Sequence, residues 1–187
     1  MERQVKDKNL LNKFVSDFIG IVEKNGIKYI IVSGFVAIAH GRSRGTEDID
    51  LIIERISGQQ FERFHRQILG KNFECIHGTS AKNLYNDYLA ENLAIRYVKK
   101  DSFVPEMELK LAKDEIDEQQ LRERVKLPLT GLPFYFSTIE TNIAFKEELL
   151  KSPKDIEDAR HLRLIYAEKL SEEKISQIKK LIKKCRL

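Results

Sequence analysis

The chain has 187 residues, 42% of them hydrophobic and 33% charged, with a net charge of +4. That balance describes a soluble folded chain with a sizeable core and excludes an extended disordered one. Met1 to Leu10 lacks the apolar stretch of a secretory signal and no apolar run nears the ~18 residues of a membrane span, so a cytoplasmic location without membrane contact is expected.

Leu10, Leu11, Phe14, Val15, Phe18, Ile19 and Val22 recur at helical spacing and predict an amphipathic helix over 9–25, stopped by Asn25-Gly26. Tyr29 to Val32 reads as a strand, Ser33-Gly34 as a turn, Phe35 to Ala39 as a short apolar helix and His40 to Glu47 as a polar loop. A second strand starts at Asp48. Side chains at i and i+2 of a strand share a face, so Asp48 and Asp50 project together while Ile49 and Leu51 turn away. Read alone, the triplet is ordinary turn chemistry before a strand, with Asp50 a solvated residue on an edge. Leu51, Ile52 and Ile53 make the strand apolar on both faces, which suits a central position. Two carboxylates at the mouth of such a strand call for a divalent cation, and hard oxygen donors favour magnesium or manganese over zinc.

Ser57 can cap a helix running to Leu69, with Phe61, Phe64 and Ile68 on one side and Gly70 at its end. Asn72 to His77 predicts a strand, Ser80 to Leu89 a helix and Leu93 to Val98 another strand. In 102–113, Met107, Leu109 and Leu111 alternate with Glu106, Glu108 and Lys110, a strand with one apolar and one charged face. Its glutamates are either a solvated face or part of a site. The charged segment 114–126 predicts an exposed helix, broken by the Pro- and Gly-containing segment 127–133; Phe134 to Ser137 is a strand and Thr138 to Leu150 a helix. Ser152-Pro153-Lys154-Asp155 opens the next helix, with Ser as cap and Pro at the first helical position. The last helix, 171–185, carries Ile175, Ile178, Leu181 and Ile182 inward and Lys179, Lys180, Lys183 and Lys184 outward. Those lysines suit the helix dipole or, alternatively, an RNA-facing patch. Residues 169–187 hold seven Lys/Arg against two Glu, so the positive excess belongs to the C-terminal segment. Cys75 and Cys185 have no metal-ligand spacing and are expected to be reduced, and the four histidines are scattered as packing or surface residues.

Gly34-Phe35, followed at similar spacing by Asp48-Ile49-Asp50-Leu51, resembles the signature of the nucleotidyltransferase superfamily, whose fold is polymerase-beta-like. The wording Gly41-Arg42-Ser43-Arg44-Gly45-Thr46-Glu47-Asp48-Ile49-Asp50 is similar to its small prokaryotic members, which include antibiotic nucleotidyltransferases and toxins of abortive-infection systems. A second similarity covers Ile143-Ala144-Phe145-Lys146 and Pro153-Lys154-Asp155-Ile156-Glu157-Asp158. The resemblance implies an α/β (α+β) fold, a mixed sheet flanked by helices, with a core over 1–137 and C-terminal helices over 138–187 packed on it as one unit. It implies transfer of a nucleoside monophosphate from a nucleoside triphosphate, with ATP as donor, to an acceptor hydroxyl on a small molecule, tRNA or a protein. Asp48, Asp50 and a third acid, Glu108 with Glu106 in reserve, would hold Mg2+ or Mn2+. Ser33, Gly34, Arg42, Arg44 and Lys146 would meet the nucleotide, and Asp155 and Asp158 would cap and orient the last helices. Two positions depart from the family: Phe35 stands where Gly or Ser is usual, and Glu108 where Asp is. A degenerate member that binds a nucleotide or RNA without transfer is the alternative.

Overall fold

A computed structural model describes residues 2–43 and 48–187. In chain order the elements are α1 (Glu2–Lys24), β1 (Tyr29–Val32), α2 (Gly34–Ala39), β2 (Asp48–Ile53), α3 (Gly58–Leu69), β3 (Phe73–Cys75) and α4 (Ala81–Asn83). They continue as β4 (Ile95–Lys99), β5 (Glu106–Leu111), α5 (Glu115–Arg122), β6 (Val125–Lys126), β7 (Tyr135–Phe136), α6 (Ile139–Phe145), α7 (Pro153–Ile165) and α8 (Glu172–Arg186). α4 and α6 each run on into a wider π-helical turn, Leu84–Leu89 and Lys146–Leu150. The chain makes two compact units, Met1–Tyr29 with Thr46–Lys113, and Ile30–Gly45 with Asp114–Leu187. β6 and β7 fall in the second unit, with the C-terminal helices.

In the first unit the strands lie in the order β3-β4-β5-β2. β2 and β5 run parallel in register from Asp48↔Glu106 to Ile53↔Leu111, while β4 is antiparallel to both β5 and β3. The period-two pattern explains the packing. Ile49, Leu51 and Ile53 of β2 and Met107, Leu109 and Leu111 of β5 are buried, and the charged residues between them share the opposite face. α1 brings Phe14 and Phe18 edge-on against Phe73, with centroids 5.4 and 5.3 Å apart, and Phe18 also meets Phe64 of α3. α3 starts with a reciprocal capping box between Ser57 and Gln60.

In the second unit the order is β1-β7-β6, with β1 parallel to β7 and β6 antiparallel to it. Both units thus contain mixed pairing, and the α/β class with helices against a mixed sheet stands. α2 is buried along its whole length, with Phe35 stacked on Phe136 at 6.5 Å. The expected exposed helix over 114–126 is corrected at both of its features. It ends at Arg122, because Val125 and Lys126 pair with β7, and Ile116, Asp117, Gln120 and Leu121 are buried. Among the described residues no helix is long and apolar enough to cross a membrane.

Several of the cations of α8 have partners inside this unit. Lys179 Nζ lies 2.7 Å from Glu147, Lys174 Nζ 2.9 Å from Glu123, and Arg186 forks onto Asp114 and Asp117 at 2.8 and 2.6 Å. Part of the basic excess, Lys179 of the four outward lysines included, is thus counter-charge to nearby acids. Arg163 adds two hydrogen bonds to Glu147, at 2.7 and 3.1 Å. Burial pushes the Glu147 carboxyl up, but the bonds from Arg163 and Lys179 outweigh it and hold the group below its ordinary value. A depressed folded value means a stabilisation that is complete above the ordinary glutamate range and lost as pH falls through the folded value. Glu147→Gln is expected to cost about 1–3 kcal/mol at pH 7 in urea unfolding, and the gap to the unaltered protein should close below about pH 4.

Candidate active site

Strand alternation and register together assemble the acids of the first unit. Asp48 and Asp50 share the outer face of β2, and the parallel register sets Glu106 beside Asp48 and Glu108 beside Asp50. Their exposure falls along the strands: Asp48 is exposed, Asp50 and Glu106 are about a quarter exposed, and the Glu108 side chain is 14% exposed. The two glutamates that sequence could only rank are thus each matched to one aspartate, with Glu108 the neighbour of the deeper one.

Four carboxylates on one face need counter-charge, and two side chains that sequence reasoning passed over supply it. Lys110, two residues beyond Glu108 on the same face, puts its Nζ 2.5 Å from Glu108 Oε1 and 3.2 Å from Asp50 Oδ1. Arg96 is the antiparallel partner of Glu108 on β4 and donates to Glu108 Oε2 from Nε at 3.0 Å and from its terminal nitrogen at 2.8 Å. The Arg96 Nε also approaches Glu106 at 3.5 Å. Burial favours a neutral Glu108, yet the hydrogen bonds from Lys110 and Arg96 win and lower its pKa. The same contacts raise Arg96, first through the bond to Glu108, and raise Lys110 against the opposing effect of its own burial. The signal for Lys110 was in the sequence, as the i+2 neighbour of Glu108; Arg96 needed the β4–β5 register.

The donors on this face are carboxylate oxygens, the type that suits a hard divalent cation such as Mg2+ or Mn2+. As the side chains stand, no three acidic or imidazole groups among the described residues converge as a ready-made metal cluster. Lys110 lies against both Asp50 and Glu108. The chemistry of the donor set therefore fits such an ion, and its assembly is held by a protein ammonium.

The second unit holds the other residues singled out by sequence, except Arg44, which lies outside the described residues. Ser33 joins β1 to α2 at φ 64° and ψ −134°, a backbone conformation costly for a residue with a side chain, by about 1–3 kcal/mol. Gly34 is buried at the start of α2. Phe35 fills the core against Phe136, which accounts for the departure from a small residue there.

Arg42 and Lys146 converge on α7. Arg42 meets Glu157 at 2.6 Å, and its Nε lies 2.6 Å from Asp158 Oδ1 as a close ion pair without hydrogen-bond alignment. Lys146, at the start of the π-helical turn, is fully buried, with Nζ 2.8 Å from Asp158 Oδ2 and 3.2 Å from Asp155 Oδ1. Ser152 caps α7 by accepting from the Asp155 N–H at 3.2 Å and donates its hydroxyl to Asp155 Oδ2 at 2.5 Å. Asp155 and Asp158 thus orient α7, and the two cations that sequence assigned to phosphate spend their charge on them. The loop before Arg42 is held to the same helix: His40 bonds Tyr166 Oη at 2.7 Å, and His161 meets the His40 carbonyl at 3.0 Å.

Among solved structures, the chain is similar to the antibiotic-resistance factor ANT(2'')-Ia in solution, with a TM-score of 0.58, 15% identity, and 94% of this chain and 92% of that chain covered. It is similar to the crystal structure of ANT(2'')-Ia in complex with adenylyl-2''-tobramycin, with a TM-score of 0.57, 16% identity and coverage of 94% and 98%. A third likeness, to an antigenic nucleotidyltransferase-like protein from Paracoccidioides brasiliensis, has a TM-score of 0.54, 17% identity and coverage of 94% and 88%. No protein-family model and no curated protein matches the sequence. The chain has the nucleotidyltransferase fold.

Asp158 is buried between two cations, so removing its charge leaves Lys146 with Asp155 alone and Arg42 with Glu157 alone. Asp158→Ala is expected to lower stability by about 3–5 kcal/mol, read as the shift of a urea transition. Lys146→Met combined with Asp158→Leu should cost less than the sum of the separate changes, because the pair then leaves together.

Proposed function

We propose that this chain is a Mg2+- or Mn2+-dependent nucleotidyltransferase that moves a nucleoside monophosphate from a nucleoside triphosphate, ATP in the simplest case, to a hydroxyl of a small molecule. The observation that supports it is the register that lays Glu108 beside Asp50 and Glu106 beside Asp48 on one face of a parallel strand pair. The fold it shares with ANT(2'')-Ia, whose crystal structure contains an adenylylated aminoglycoside, favours a small-molecule acceptor.

In the proposed reaction the acceptor oxygen bonds to the α-phosphorus, the α–β bridging bond breaks, and pyrophosphate leaves with its electron pair. Bound divalent metal would supply charge stabilisation at the attacking and leaving oxygens. Asp48, Asp50 and Glu108 are the residues we assign to hold it. Glu108 is kept ionised by Arg96 and Lys110, so it suits holding charge better than taking the acceptor proton, which we leave to Asp50 or solvent. We assign nucleotide contact to Ser33, Gly34 and Arg44. For Arg42 and Lys146 the ion pairs with Asp155 and Asp158 favour a role in holding α7.

A second reading, a degenerate module that binds nucleotide without transfer, draws support from the ammonium already lodged between Asp50 and Glu108. The test is transfer of label from each α-labelled nucleoside triphosphate, with magnesium or manganese, into the small-molecule, RNA and protein fractions of a cell extract. Label is expected in the small-molecule fraction, reduced at least ~100-fold by Asp50→Asn. Label in RNA or protein would replace the acceptor class; nucleotide binding without label anywhere would establish the degenerate reading.

A further inference from the structure

The acid face carries its own cation, and its position is specific. Lys110 sits on β5 at the level of Ile52 on β2, one step inward from the Asp50↔Glu108 pair. From there its side chain reaches back, so that one ammonium spans acids from two strands, 2.5 Å from Glu108 and 3.2 Å from Asp50. Ile52 is buried beside it on β2, where a polar residue could have offered another partner, and the Lys110 side chain is 39% exposed and has room to turn outward. Arg96 differs: it grips the other oxygen of Glu108.

We propose that Lys110 is the resident counter-ion of this site: it holds Asp50 and Glu108 together in the metal-free protein, and a divalent cation must displace its ammonium to bind there. This rests on the metal-binding part of the function proposed above. Two like-charged ions cannot share the same pair of carboxylate oxygens at ~3–4 Å without strong repulsion, so the ammonium lowers metal affinity while it stays. Arg96 keeps Glu108 oriented during the exchange. The consequence is a site whose Asp50–Glu108 pair stays assembled without metal and that loads metal weakly. A metal ion arriving with a triphosphate brings anionic oxygens that can receive the displaced ammonium, so loading is coupled to nucleotide.

The test is Mn2+ binding to the nucleotide-free protein, followed by the electron paramagnetic resonance signal of free Mn2+, with no turnover in the readout. Lys110→Met is expected to tighten Mn2+ binding about tenfold or more, and Lys110→Arg, which keeps the charge, to stay within about threefold of the unaltered protein. Should the methionine variant fail to fold, Lys110→Gln retains a hydrogen-bond donor without charge and carries the same expectation. Asp50→Asn added to either neutral variant should abolish the gain. Equal Mn2+ affinity in the unaltered protein and its neutral variants would overturn the role of Lys110 and leave the metal site standing. Absence of binding in all of them would overturn both.

Discussion

Everything at the acid face depends on the parallel register between β2 and β5. A strand alone can place Asp48 and Asp50 together, but only a neighbour held without slippage sets Glu108 opposite Asp50 rather than facing the core. A slip of one residue would turn Met107 or Leu109 outward and bury a carboxylate, exchanging apolar burial for an unpaired charge. The fully buried alternation of Ile49, Leu51 and Ile53 against Met107, Leu109 and Leu111 therefore fixes the chemistry as well as the core. Register also decides the price of the arrangement, since it gathers repelling groups that only nearby cations can hold. Lys110 and Arg96 meet that demand from the two directions open to them, along β5 itself and across from β4.

The second unit solves a similar problem in a drier place. There Asp158 has no exposed side-chain surface and Lys146 almost none, so each buried charge depends on the opposite charges packed around it. Lys146 enters the pair from the first residue of a π-helical turn, a local widening of the backbone helix that recurs where a side chain must be aimed outside the regular α-helical progression. Arg42 ties the polar loop after α2 to the same carboxylate. Breaking such a cluster at one member is costly, whereas its complete replacement by apolar groups need not be. This argues that the cluster was kept for what it positions.

How far the chain could be read before its structure follows from the range of the forces involved. Strand periodicity, the Ser57 and Ser152 caps and the helical stripes are local, and β1, α3, β5, α7 and α8 lie where the residues say they should. The helix predicted over 114–126 was misjudged because its last residues answer to a distant strand: Val125 pairs with Phe136, and pairing outweighs local helix preference. Arg186 buries part of α5 by reaching Asp114 and Asp117 from more than sixty residues away, another partnership no window of sequence displays. At the candidate site the same division holds. The Asp-x-Asp spacing and the Glu-x-Glu face were visible, but which glutamate neighbours which aspartate is a property of register, and so is Arg96.

Lys146 shows how one motif admits more than one kind of contact. A lysine beside a Lys-Asp-x-x-Asp helix could serve a phosphate, lie on the surface, or neutralise the aspartates themselves, and sequence holds no measure of depth to choose among them. Burial chooses. With Nζ held by Asp155 and Asp158, a phosphate could recruit this ammonium only by leaving a buried carboxylate with less counter-charge, an exchange that costs more than a solvent-facing lysine would incur. Lys110 is the opposite case: it touches two acids as closely, but at the surface, where water can take over the ammonium as it departs. Similar ion-pair distances are therefore compatible with different roles, because the cost of breaking each pair is set by what replaces it.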